Sequence, residues 1–307
     1  MNLGDAVGIN ERSGLAHHTN TEEEPMQTIT SADGTQIAYE RCGSGPALIL
    51  VGGAFSYRRF PKTVQLAELL ADRFTVFNYD RRGRGDSSDA ESYAVEREIE
   101  DLAAVIGAAG GRAFVWGWSS GAVLALRASA AGLPIERLAL YEPPFVVDGS
   151  HRVPPADLGR RLDEYLAAGN RSAAVHLYMT EAMGAPGFFV RAMRLMPVWK
   201  QLKAVAHTLP YDWAVLGDAV SGRPLDGTLW GRVIVPALVM AGSKSPALLQ
   251  DAARAITAAL PAGELRILEG QSHNPSMKVQ APVIAEFLGA TSARKPAPNP
   301  APNIGAA

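Results

Sequence analysis

Ser119 stands in Gly117-Trp118-Ser119-Ser120-Gly121, between a short apolar run, Phe114 to Trp116, and an alanine- and leucine-rich stretch reaching about Ala131. That order reads as a buried strand, a turn too tight for ordinary residues, and a helix. Glycines at both ends of the pentapeptide let backbones approach closely, and the serine at the apex projects its hydroxyl. The pattern is the G-x-S-x-G nucleophile elbow in the strand–turn–helix context it requires. The plainer alternative is a Gly/Ser turn that only joins strand to helix. As an elbow, it offers attack by a serine oxygen on an electrophilic carbon. The backbone N–H of Ser120, at a helix N-terminus, can donate to the oxyanion that such attack creates. A serine hydroxyl reacts only when a base takes its proton, so a histidine is also needed. Six are present: His17, His18, His151, His176, His207 and His273.

The elements that must position these groups alternate along most of the chain. Residues 27–30 and 35–40 flank an Asp33-Gly34 turn and predict a hairpin. Residues 47–51 are continuously apolar, the mark of a strand covered on both faces, and Gly52-Gly53-Ala54-Phe55 ends them. A helical stretch to about Leu70, a strand over 74–79, the turn Asp80-Arg81-Arg82-Gly83-Arg84-Gly85-Asp86-Ser87 and a helix over 96–109 follow. After the elbow a strand over 138–141 ends in Glu142-Pro143-Pro144. Between residues 147 and 232 the alternation stops. Helical spacing over 158–168, 173–183 and 188–208 there carries many Met, Phe, Trp and Tyr residues. Alternation resumes with a strand over 233–241, a helix over 247–260, a strand over 265–268 and a helix over 281–288. The fold class is therefore α/β: a mainly parallel sheet with helices on both faces. A helical insertion after the sixth main strand would cover the carboxyl ends of the strands, where such sheets carry their sites. The expected organisation is a core over 26–146, the insertion over 147–232 and a second core part over 233–290. Residues 1–25 read as a disordered leader and 291–307 as a flexible tail.

Composition narrows the function classes. With 307 residues and 47% hydrophobic content the chain can bury a sizeable core. A formal charge of −2 gives no global attraction to nucleic acid or anionic membranes, and neither is an expected partner. The densest basic run, Arg81-Arg82-Gly83-Arg84, is flanked by Asp80 and Asp86. The single cysteine, Cys42, excludes an internal disulfide and a Cys-x-x-Cys motif. No apolar run approaches the roughly 18 residues of a membrane-spanning helix, and residues 1–25 lack the layout of a secretory signal. A cytoplasmic protein is expected.

With these elements placed, the chain resembles the α/β-hydrolase family over about residues 27–290, and the insertion resembles that family's cap. The residues that carry the likeness are Gly117-Trp118-Ser119-Ser120-Gly121, the Asp80 to Ser87 turn and Gly270-Gln271-Ser272-His273. Residues Val115 to Ala122, with the glutamate after the sixth strand, are similar to the fungal zearalenone lactonases of the same superfamily.

The resemblance implies a site. His273, between the last strand and the final helix, matches the position of the family's base, whereas the insertion histidines do not. The usual acid follows the seventh strand in a Gly-x-x-Asp arrangement. This chain has Gly242-Ser243-Lys244-Ser245 there, and the next carboxylate, Asp251, falls in a predicted helix. Some family members carry the acid after the sixth strand, where Glu142 stands. Its expected role is to orient His273, the alternative being an ion-pair partner outside the reacting groups. Ala54, in the loop after the third strand, matches an oxyanion donor through its backbone N–H, beside that of Ser120. Asp80 and Arg82 match a turn that is usually structural. In the insertion, Tyr178, Met183, Phe188, Phe189, Met193, Met196, Trp199, Trp213 and Trp230, with Trp118 beside the nucleophile, suggest an apolar ceiling. Phe55, Trp118, Phe188, Met193 and Trp199 are the expected substrate-binding residues.

The function implied is that of a serine hydrolase cleaving carboxylic esters or lactones of apolar small molecules, with no metal and no cofactor. The aromatic- and Met-rich insertion favours bulky apolar acyl groups over short or charged ones. The rival from another class is a non-hydrolytic binding or cyclisation/helper protein of natural-product biosynthesis, suggested by Gly52 and Ser245 standing where the family usually has other residues.

Overall fold

A computed structural model describes residues 26–289; the expected leader and the tail from residue 291 lie outside the described residues. Eight strands form one sheet: Gln27–Thr30 (β1), Gln36–Cys42 (β2), Ala47–Val51 (β3), Thr75–Tyr79 (β4), Ala113–Trp118 (β5), Ile135–Tyr141 (β6), Ala237–Gly242 (β7) and Gly263–Leu268 (β8). Their spatial order is β1-β2-β4-β3-β5-β6-β7-β8. β2 pairs antiparallel with β1 and β4, and every pairing from β4 to β8 is parallel. The hairpin turn forms where the Asp-Gly pair predicts it. Asp33 Oδ1 accepts the Thr35 N–H at 3.0 Å, and Gly34 takes φ 90°, a value that favours glycine.

The helices of the core are Pro61–Leu70 (α1), Val95–Ala108 (α2) and Ser120–Ala130 (α3). The insertion contributes Leu158–Ala167 (α4), Arg171–Leu177 (α5), Gly187–Met193 (α6), Val198–Ala204 (α7), Leu209–Leu216 (α8) and Gly227–Trp230 (α9). Ala247–Ala259 (α10) and Met277–Gly289 (α11) complete the core. Side chains alternate across each strand, so the apolar runs feed two layers. Leu48, Leu50 and Trp116 pack with Leu66 and Leu70 of α1 and with Ile284 and Leu288 of α11. Ile49, Val51 and Val115 pack on the other face with Leu102 of α2, Val123 of α3 and Ile256 of α10.

The insertion has an apolar cluster of its own around Leu158, Leu162, Val175, Tyr178, Val190 and Trp199. It is also rooted in the core, because Val215 and Leu216 of α8 are buried with the α3 layer. Its helices are shorter than the periodicity predicts. The run over 188–208 breaks at Pro197, which disfavours helix at the residue before it. The stretch over 173–183 passes from α5 into a π-helical turn, Tyr178–Ala182. The strand expected from residue 233 begins only at Ala237, since Pro236 has no N–H to give a ladder. Among the described residues, no helix is long and apolar enough to cross a membrane.

Candidate active site

The elbow sits where β5 turns into α3. Ser119 has φ 56° and ψ −125°, strained for a residue with a side chain, a cost of roughly 1–3 kcal/mol that the surroundings must outweigh. They hold it at both ends. Ser119 N donates to Tyr141 O at 2.9 Å, and Ser119 O accepts from Ala122 N at 2.9 Å. The flanking glycines are required by contact. A Cβ on Gly117 would lie 2.6 Å from Ala122 Cα, and one on Gly121 would lie 2.3 Å from Val51 O. Phe55 (φ 65°) and Glu142 (φ 47°) are the other non-glycine residues at positive φ among the described residues. The three stand at the carboxyl ends of β3, β5 and β6. Backbone strain of this kind gathers where function constrains geometry.

Glu142 is completely buried at the end of β6. Its Oε1 accepts the Gly242 N–H at 2.7 Å and the Ser245 hydroxyl, and its Oε2 lies 2.7 Å from His273 Nδ1. Ser245, at the place where the resemblance would have put an acid, therefore donates its hydroxyl to the Glu142 carboxylate. Asp251 instead faces solvent on α10, with His151 Nε2 at 3.1 Å and Arg254 Nη1 at 3.1 Å.

The loop carrying His273 between β8 and α11 is held from three directions. Tyr141 Oη donates to Ser272 O at 2.7 Å, Lys244 N to Gln271 O at 2.8 Å, and Lys62 Nζ to Pro275 O at 2.7 Å. The loop also passes so close to β7 that a Cβ on Gly242 would stand 2.2 Å from Gln271 O. Pairs this distant in sequence leave no local pattern, and reading the sequence did not find them.

Ser119, Ser120, Ala54 and His273 line one cavity of about 120 Å³. Among the described residues no hydrogen bond joins Ser119 Oγ to His273; such contacts are often long before substrate binds. The remaining wall is largely apolar: Pro144, Val146, Tyr178, Met183, Leu216 and Leu249 are among its members. Arg152 also reaches the lining, with its guanidinium bonded to Thr180 O and Glu181. Among the described residues no group of three or more His, Cys, Asp or Glu is arranged to hold a metal ion.

Tyr178 and Met183, expected in the ceiling, do line the cavity, but the five residues expected to bind substrate lie elsewhere. Phe188 is 78% exposed on α6. Met193 packs against the insertion cluster, and Trp199 is buried in it, with Nε1 donating to Ser172 Oγ at 3.1 Å. Phe55 meets Tyr178 edge-on, 5.8 Å between ring centroids. Trp118 projects to the opposite layer, near Phe60, Trp116 and the His273 ring. Apolar periodicity marks a residue as buried but not whether a ligand or another helix covers it. The walls from Pro144, Val146 and Leu249 come from loops and a core helix that carried no such signal.

Asp80 and Arg82 sit in buried ion pairs of the turn after β4. Asp80 accepts from Arg58 N at 2.6 Å and Arg58 Nη1 at 2.5 Å, and both Asp101 oxygens accept from Arg82 at 2.7 Å. Neither Asp80 nor Arg82 lines the cavity that Ser119 and His273 share.

A sequence model of the alpha/beta hydrolase family matches residues 48–286. Among solved structures, an alpha/beta hydrolase from Sphaerobacter thermophilus DSM 20745 is 51% identical, with a TM-score of 0.80 over 85% of this chain and 100% of that one. The esterase RhEst1 from Rhodococcus sp. ECU1013, at 20% identity and a TM-score of 0.62 over 86% of this chain and 98% of its own, shares the fold. The uncharacterized hydrolase YraK of Bacillus subtilis (strain 168) is 39% identical over 98 residues, which span 30% of this chain and only 35% of that relative. With an eight-stranded, mostly parallel sheet, a strained serine turn after β5 and a family match across more than half its length, the chain belongs to the alpha/beta hydrolase family.

Proposed function

We propose that the protein is a serine hydrolase of carboxylic esters or lactones of apolar small molecules, acting through an acyl-enzyme. The observation that carries this reading is the 2.7 Å contact between buried Glu142 and His273 Nδ1, beside a cavity that Ser119 shares. With Nδ1 committed to the carboxylate, Nε2 is the nitrogen left to take the Ser119 proton. Ser119 Oγ attacks the carbonyl carbon, and the N–H groups of Ala54 and Ser120 donate hydrogen bonds to the oxygen as it becomes negative. Collapse expels the alcohol, or opens the lactone ring, with the proton returned by His273. Water then attacks the acyl-serine by the same route, and its proton passes through His273 to Ser119. Glu142 orients the ring and stabilises the imidazolium.

The cavity bounds the substrate. An enclosed site of about 150 Å³ holds benzene, so the walled part of this partly open cavity, about 120 Å³, suits acyl groups of that size or smaller rather than the bulky ones the insertion suggested. Its apolar wall favours uncharged groups. The test is a fluorophosphonate probe with p-nitrophenyl esters and a lactone panel. Labelling at Ser119 with turnover lost in Ser119→Ala supports the reading. Ligand binding without labelling or turnover refutes it and favours the non-hydrolytic alternative.

A further inference from the structure

Below the elbow lies a buried ionic cluster that the mechanism does not use. Asp212, on α8 of the insertion, is fully buried. Its Oδ1 accepts from Ser120 Oγ at 2.7 Å and from Arg81 Nη1 at 2.7 Å, while Oδ2 accepts from Arg84 Nη2 at 2.5 Å. Arg84 Nη1 in turn donates to Gly53 O at 2.8 Å. The same carbonyl accepts from Ser56 Oγ at 2.6 Å. Arg81 is balanced on its other side by Glu98, with both contacts at 2.6 Å.

The geometry points to Asp212 as a positioning residue that sets both oxyanion donors from the insertion. It rests on the reading above, in which the N–H groups of Ala54 and Ser120 bind the oxyanion. Gly53 C=O and Ala54 N–H belong to one planar peptide, so fixing the oxygen fixes the direction of the N–H. A carbonyl that accepts strong hydrogen bonds also polarises its amide and makes the N–H a better donor. The second donor is held through its own side chain: Ser120 begins α3, and its hydroxyl is tied to the same carboxylate. One carboxylate thus reaches one donor directly and the other through Arg84.

Stability alone does not account for this cluster. Buried ion pairs repay their desolvation poorly, and apolar side chains of similar volume often hold a fold as well or better. What apolar packing could not do is grip a carbonyl on the loop after β3 and a hydroxyl at the start of α3. Burial opposes ionisation of Asp212, but Arg84 and Arg81 outweigh it and hold the carboxyl below its usual range, so the grip is charged at neutral pH.

Three variants test this: Asp212→Asn, Arg84→Lys and Ser120→Ala, each read as kcat per active site after fluorophosphonate titration. Loss of a whole oxyanion donor costs roughly 10²–10³ in kcat. A donor that is present but misaimed should cost less: about 10- to 100-fold for Asp212→Asn and Arg84→Lys, and about 3- to 10-fold for Ser120→Ala. KM should stay within about threefold, because the oxyanion forms after binding. A trifluoromethyl ketone, which forms an oxyanion on Ser119, should weaken in step with kcat, while an unreactive amide analogue should bind as before. A merely structural role would lower the titrated fraction and leave kcat per site unchanged. If Asp212→Asn does not fold, Ser120→Ala decides, since it removes one hydroxyl and leaves the ion pairs intact. A kcat per site within twofold of wild type for Ser120→Ala and Arg84→Lys, or a change confined to KM, overturns the inference. Absence of Ser119 labelling in the wild-type protein would instead overturn the reading on which it rests.

Discussion

On the proposed mechanism, replacing Glu142 by glutamine should abolish most turnover through the tautomer of His273. Oε1 of Glu142 receives two donors, the Gly242 N–H and the Ser245 hydroxyl, so in Glu142→Gln the amide oxygen must take that end. Turning the amide round would set its NH2 against the fixed Gly242 N–H and leave that buried donor unsatisfied, at a cost of roughly 1–3 kcal/mol. The NH2 is therefore forced toward His273 Nδ1, where it donates rather than accepts. The ring must then carry its proton on Nε2, and that nitrogen can no longer take the Ser119 proton. The corresponding change in a serine protease costs about 10⁴ in kcat, equivalent to roughly 5.4 kcal/mol of transition-state stabilisation, and a loss of that order is expected here. The assay is steady-state hydrolysis of p-nitrophenyl butyrate, with circular dichroism and a melting curve to show that the variant is folded. A folded Glu142→Gln within tenfold of wild type would refute the reasoning, above all if Asp251→Asn were inactive.

Ser119→Ala and His273→Ala should each bring ester turnover to background, and the double variant should be little worse, since on the proposed mechanism the two act as one unit; additive losses would separate them. Across p-nitrophenyl esters, kcat/KM should peak at short acyl chains and fall at least about tenfold by decanoate, because overfilling a packed cavity costs roughly 1–3 kcal/mol. A profile still rising at decanoate would show that the walls open. Asp212 ionises below its usual range in the folded protein and near 3.9 in the unfolded chain, so the unfolded state binds the extra proton as pH falls. Its contribution to stability is present above about pH 4 and lost below it. Asp212→Asn should therefore have a lower Tm at neutral pH but a shallower fall in Tm between about pH 5 and pH 3 than the wild type; equal slopes would count against the ion pairs.

The sheet was legible because its central strands are apolar on both faces and its turns are punctuated by glycine and proline. The elbow was legible for the reason that makes it rigid: at Gly117 and Gly121 any side chain would strike neighbouring backbone. Chain order and family likeness drew attention to His273 and Glu142, which the fold does bring into contact. What stayed hidden joins residues far apart in sequence. Ser245 and Glu142 are 103 positions apart, and Arg84 and Asp212 are 128 apart, with no periodicity linking either pair. The binding surface was the weakest inference. Trp199 and Leu216 are both buried apolar residues of insertion helices, yet one meets other side chains and the other meets the cavity. Only packing separates those cases.

The hydrogen bonds around Glu142 have a consequence for how such sites can be rebuilt. The carboxylate hangs from the end of β6, but the groups that hold it, Gly242 N–H and Ser245 Oγ, belong to the last residue of β7 and the turn after it. On the proposed mechanism, the charge has two possible addresses in the chain and one in space. A variant with Glu142 and an aspartate from Ser245→Asp would carry two acids at that point. One would be forced to keep its proton, leaving a single anion facing the imidazole. Removing Glu142 from that intermediate would leave the acid on the neighbouring strand, so Glu142→Ser with Ser245→Asp should recover more turnover than Glu142→Ser alone. The charge could then migrate between strands by steps that never leave the histidine without a partner, and the layout of such a site would be a reversible property of the fold.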